Sequence, residues 1–126
     1  MQLSIVVALG GAIGATLRHL VGVLFVSILN AQSIYATFTV NVVGCSVAGA
    51  LLGYAVHVWS PSDAMRAFVF VGIMGGFTTF SAFSTDTVLL IERGAWGMAS
   101  AYVLASVLLS VAGFFVALRL MRIILT

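Results

Sequence analysis

Gly75-Gly76-Phe77-Thr78-Thr79-Phe80-Ser81-Ala82-Phe83-Ser84 is the stretch on which the reading of this chain turns. Six of these ten residues are glycine, serine or threonine, yet they fall near the midpoint of the expected third span, about 62–91. Adjacent glycines and hydroxyls weaken a helix, and lipid leaves a freed backbone group nothing to bond. Such a segment is tolerated at membrane depth only where it is buried in protein or lines a watery cavity. Carbonyls released there can hold a small cation, as in transporters with interrupted helices. A plain glycine kink is the simpler alternative.

The surroundings make this a membrane problem. Of 126 residues, 63% are hydrophobic and only 6% charged, far from the roughly 25% charged residues of soluble domains. The uncharged runs are 1–17, 19–62, 67–85 and 94–118, and a spanning helix needs about 20 apolar residues. The spacing predicts one all-α domain over 1–126 with four transmembrane helices, at about 3–29, 33–57, 62–91 and 95–124, the third of them broken. Asn30-Ala31-Gln32-Ser33, Trp59-Ser60-Pro61-Ser62-Asp63 and Glu92-Arg93-Gly94 supply the turns. Ser60 is expected to cap the third helix with Pro61 at its first position. Gly94 is expected to end that helix. Trp59, Trp96 and Tyr35 fall beside turns, where amphipathic aromatics favour the headgroup region.

Several classes are disfavoured. Five arginines, three acids and no lysine give no basic patch for nucleic acid. No nucleotide site and no catalytic dyad is visible, so an enzyme is not expected. Cys45 is the single cysteine, so a disulfide within the chain is impossible. The N-terminus has no basic n-region and reads as the first span. Four spans place both termini on one side, with Arg66, Arg119 and Arg122 near it and Arg93 opposite. That bias favours a cytoplasmic N-terminus, but with so few charges it does not fix one orientation. Gly10/Gly14, Gly49/Gly53 and Gly72/Gly76 have the spacing that lets membrane helices approach closely. With so few spans to enclose a polar path, a homo-oligomer is expected.

Candidate functional residues follow from polarity at depth. Phe80 and Phe83 are three apart and share a helical face. The positive edge of an aromatic ring can meet an anion without a full charge that would trap it. Ser81 adds a hydroxyl beside them. Arg18 lies within the first span and must face protein or water; it reads either as an anion-attracting group at a vestibule, or as a snorkelling side chain or a structural partner of Asp86 or a backbone carbonyl. Asn41, with Thr37 one turn earlier, offers amide donors to an anion or to a neighbouring helix. Tyr102, Ser106 and Ser110 place three hydroxyls on one face of the fourth span. Asp86 is expected to pair with Arg18 or to cap the second half of the third helix. His19, His57 and Cys45 have no companions at metal-ligand spacing and read as structural.

Three motifs in order carry a family resemblance: the segment 75–84, Gly10-Gly-Ala-Ile-Gly-Ala-Thr-Leu-Arg18, and Thr37-Phe-Thr-Val-Asn41-Val-Val-Gly44. Over nearly its whole length the chain resembles the Fluc (CrcB-type) fluoride channels. The resemblance implies an antiparallel, dual-topology homodimer in the inner (plasma) membrane, with two pores through which fluoride leaves the cytoplasm passively. Phe80 and Phe83 fall at the family's paired pore phenylalanines, Asn41 at its pore asparagine and Arg18 at its first-helix arginine. Tyr102, Ser106 and Ser110 match a polar track. Gly75 and Thr78 match positions whose carbonyls hold a structural Na+ at the dimer centre. Ala82 stands where the family usually has threonine, removing one track hydroxyl, and Asp86 where a longer glutamate is common.

Two other classes compete. Small multidrug or cation-coupled transporters also have four short helices and dimerise, but rely on a glutamate in the first helix. Here that helix holds Arg18 and no acid. A non-transporting membrane assembly predicts no ion flux and tolerance of Phe80→Ile or Asn41→Ala.

Overall fold

A computed structural model describes residues 2–126. Four helices are long and apolar enough to cross a membrane: α1 (Gln2–Ile28), α2 (Ser33–Trp59), α3 (Asp63–Glu92) and α4 (Trp96–Leu125). At 1.5 Å per residue they run roughly 40–45 Å, beyond the hydrocarbon layer of about 30 Å. Their ends therefore reach the headgroup region, where Tyr35 and Trp96 are exposed.

The turns are set by residues that tolerate unusual backbone. Asn30 (φ 51°) and Gly94 (φ 74°) take left-handed conformations, Asn being one of the few non-glycine residues that do so routinely. At the start of α3 the expected cap is corrected by two residues. Ser60 lies in the turn itself, at φ 28° and ψ 58°. The Ser62 hydroxyl instead accepts the Met65 N–H at 3.3 Å, which puts Pro61 before the helix and Asp63 in its first turn.

Two close helix pairs build the bundle, α1 with the first half of α3 and α2 with α4. Glycine makes each possible. A Cβ on Gly14 would run into the Ile73 carbonyl and stand 2.8 Å from the Phe77 nitrogen. One on Gly49 would overlap the Phe114 carbonyl. Lipid supplies no hydrophobic drive between helices, so this backbone-to-backbone packing takes over that role. The small core contains Ile34, Phe83, Leu90, Ala99 and Tyr102, placing α2 and α4 around the second half of α3.

Within α3, the helix, wound as a π-helix over Ala67–Met74, stops at Phe77 and resumes at Phe80. Thr78 (φ −77°, ψ 156°) and Thr79 (φ −150°, ψ 117°) are extended. Gly44 on α2 leaves space for this segment, since a Cβ there would come within 2.5 Å of Thr78 Cγ2 and 3.0 Å of Phe77 Cδ1.

Candidate functional site

Two extended residues at membrane depth leave helix hydrogen bonds to be replaced, and α2 replaces those of Thr79 alone. The Thr79 N–H donates to Asn41 Oδ1 at 2.8 Å, and Asn41 Nδ2 donates to the Thr79 carbonyl at 3.0 Å. The amide thus pairs with Thr79 as a neighbouring strand would. One Nδ2 hydrogen is spent on this pairing, and the amide carries a second. The Thr79 hydroxyl then caps the resumed helix by accepting the Ala82 N–H at 3.1 Å. Asp86 does not cap it, contrary to one of its two expected roles.

These bonds also identify which carbonyls are freed. In a continuous helix the Thr79 N–H would serve the Gly75 carbonyl and the Ala82 N–H the Thr78 carbonyl. Both donors are engaged elsewhere, and the Thr78 N–H goes to the Met74 carbonyl at 3.0 Å. The Gly76 carbonyl accepts Arg18 Nε at 3.2 Å. Arg18 therefore takes the backbone-carbonyl option; Asp86 instead accepts the Tyr102 hydroxyl at 3.2 Å, which corrects the other expected role of Asp86.

On one side of Thr79 lies a cavity of about 280 Å³. Asn41, Phe80, Phe83, Ser106 and Ser110 line it, together with Cys45. The Phe80 and Phe83 rings are 5.4 Å apart and inclined at 44°. Phe83 is buried against the Tyr102 ring, with centroids also 5.4 Å apart, whereas Phe80 is 77% exposed on the outside of the chain.

Hydroxyls in this chain commonly donate to the carbonyl four residues back: Thr37 to Ser33, Ser46 to Val42, Ser84 to Phe80 and Ser100 to Trp96. Ser106 and Ser110 break that habit, since both hydroxyl oxygens are buried with no hydrogen-bond partner among the described residues. Ser106 is only 4% exposed. A buried polar group without a partner costs free energy and calls for an explanation.

A larger cavity of about 520 Å³ lies on the other side, lined by Arg18, His19, Thr37 and Ala82 among others. Thr79 borders both cavities. A third, of about 260 Å³, holds Asp86 and Arg93 beyond Tyr102. The expected residues thus divide: Asn41, Phe80, Phe83, Ser106 and Ser110 around one space, Arg18 and Thr37 around the next, Asp86 around the third. Ser81 borders none of these three, and its hydroxyl lies 3.3 Å from that of Thr79. Cys45 and His19, read as structural in the sequence, line the first and second cavities. The i, i+4 spacing of Asn41 and Cys45 was the available signal for the former.

The family described as "CrcB-like protein, Camphor Resistance (CrcB)" matches residues 5–118. The chain belongs to the CrcB-like family. Its similarity to curated relatives runs nearly end to end. A protein of Rhodospirillum centenum named "Fluoride-specific ion channel FluC" is 52% identical over 122 residues, 97% of both chains. One of Rhodopseudomonas palustris with the same name is 46% identical, covering 95% of this chain and 97% of its own. The Agrobacterium fabrum protein, again so named, is 44% identical across 92% and 93%. As a CrcB-like protein with four spanning helices, the chain is a multi-pass protein of the cell membrane.

Proposed function

We propose that this protein is a passive, fluoride-selective channel that lets fluoride leave the cytoplasm, working as an antiparallel, dual-topology homodimer with two pores. The observation that carries the reading is that Ser106 and Ser110 line one cavity with Asn41, Phe80 and Phe83, and that their hydroxyls find no hydrogen-bond partner among the described residues. Fluoride is small and strongly hydrated, so it needs compact donors to replace its water. Two hydroxyl hydrogens, the second Nδ2 hydrogen of Asn41 and aromatic ring edges supply them. None carries a full charge, so the ion is held loosely enough to leave. The similarly named relatives support the same ion.

In this reading Arg18 draws the anion into the larger cavity, where Thr37 offers a hydroxyl and Ala82 none. Its guanidinium is held by the Gly76 carbonyl, which keeps it at the vestibule. Fluoride then passes Asn41, meets Phe80, Phe83, Ser106 and Ser110, and leaves by way of Tyr102 and Asp86. Ser81 contributes through the Thr79 hydroxyl. A negative interior favours exit by about 2.3 kcal/mol per charge per 100 mV, so a coupling ion or nucleotide is unnecessary.

The exposed Phe80 ring and the extended residues next to it fit a partner subunit covering this face. The freed carbonyls of Gly75 and Thr78 are hard, neutral oxygen donors suited to Na+. No group of three or more His, Cys, Asp or Glu able to hold a metal is present among the described residues, so backbone oxygen is the fitting donor. Bound there, Na+ would neutralise carbonyl dipoles at the subunit junction.

Reconstituted protein in liposomes, with external fluoride and chloride followed by electrodes, tests this. The expected result is rapid, voltage-following fluoride efflux without chloride efflux, lost in Phe80→Ile and Asn41→Ala. Folded dimers that pass no fluoride, or flux that requires a proton gradient, would overturn it.

A further inference from the structure

At the end of the bundle where α3 begins and α4 ends, an apolar groove of about 300 Å³ lies between α2 and α3. Leu52, Ala55 and Val56 of α2 and Phe70 and Val71 of α3 line it, with Arg66 as its only charged residue. Leu52, Val56 and Val71 are exposed, so in a chain that crosses the membrane the groove opens on lipid. Most of its lining is wound as π-helix, over Ala55–Trp59 and Ala67–Met74, a rare winding frequently found at functional sites. Arg66 is the fourth residue of α3, one turn before Phe70. Its guanidinium therefore stands at headgroup depth while the apolar walls run on towards the hydrocarbon. Charge at this end is unbalanced. Arg66, Arg119 and Arg122 share it with one acid, Asp63, and together they account for the whole net charge of +2.

We propose that this groove binds an anionic phospholipid, with an acyl chain lying between α2 and α3 and the phosphate on Arg66. The guanidinium offers a planar fork of donors that matches two phosphate oxygens. A zwitterionic lipid brings its own cation to an end that already holds three arginines, whereas an anionic one does not. Free phosphate could meet Arg66 but would gain nothing from the apolar walls. A second copy laid over the groove would have to bury Arg66, which is costly without a paired carboxylate. Arg119 is a built-in comparison, because it lies over the Phe115 ring at 5.1 Å and does not line the groove. Nothing in the site depends on which ion the chain carries.

Native mass spectrometry of the detergent-purified protein tests this, with three probes titrated in turn. They are palmitoyl-oleoyl phosphatidylglycerol, phosphatidylcholine with the same chains, and glycerol 3-phosphate as a phosphate without chains. The expected result is one phosphatidylglycerol held preferentially per chain, with phosphatidylcholine weaker and glycerol 3-phosphate not retained. Arg66→Gln should weaken phosphatidylglycerol roughly fivefold, the worth of one arginine at an anionic surface. Arg66→Lys should keep most of the binding, and Arg119→Gln should change it little. Val56→Phe, which narrows the groove and keeps Arg66, should weaken it as well. Equal binding of the two lipids, equal losses in Arg66→Gln and Arg119→Gln, or no effect of Val56→Phe would each overturn the site. Glycerol 3-phosphate held as tightly as the lipid would overturn it in favour of a free-phosphate site. Phosphatidylglycerol bound by monomers and excluded from dimers would overturn it in favour of a second copy covering the groove.

Discussion

On the proposed reading, Ser106 sets a functional requirement against stability at a single residue. Its hydroxyl, buried and without a partner, costs about 1–3 kcal/mol relative to a satisfied group. Ser106→Ala removes that cost along with one oxygen. The variant should therefore unfold in detergent at a temperature no lower than the parent while its fluoride flux falls. A structural hydroxyl predicts the reverse, with lower stability and unchanged flux. Asn41 behaves differently, because its amide completes the Thr79 backbone. Asn41→Ala strands a donor and an acceptor, so it should lose several kcal/mol as well as flux. A thermal scan alongside the flux assay separates the two residues.

At the scale of elements, glycine contacts decide how close the helices come. Gly14→Ala forces a Cβ against the Ile73 carbonyl and the Phe77 nitrogen, both backbone atoms, which cannot swing aside. The expected cost is about 1–3 kcal/mol, read as a fall in the thermal midpoint, and the displacement falls one residue from the extended pair Thr78–Thr79. Gly97→Ala, with nothing within 4 Å of the added carbon, should leave the midpoint almost unchanged. Much at this scale was legible in advance. Charge spacing marks four apolar helices, and the small-residue pairs mark their contacts, because both depend only on local composition. The cap of α3 was misplaced because Ser60 and Ser62 flank the same proline, and composition does not say which hydroxyl faces the helix. Nor could the bonds around Thr79 be read, since its N–H is satisfied from Asn41, 38 residues away. The roles expected of Asp86 failed for a similar reason: Tyr102 lies 16 residues further on, and only packing of α4 against α3 brings its hydroxyl there.

For the molecule as a whole, the proposed function depends on linking the three cavities. The named relatives and the family match make fluoride the ion to test, and the uncharged donors around the middle cavity explain how it could be held and released. In the proposed dimer, Phe80, three-quarters exposed beside the extended segment, is the residue a second copy would cover most directly. If so, Phe80→Ile should reduce flux while leaving the separate helices folded. The central claim is selective passive conduction, and the reversal potential of the reconstituted protein in a planar bilayer tests it most directly, with fluoride on one side and chloride on the other. The account predicts a large potential of the sign set by fluoride alone, unaffected by a pH difference. A potential near zero, one set by chloride, or one that follows the proton gradient would contradict it.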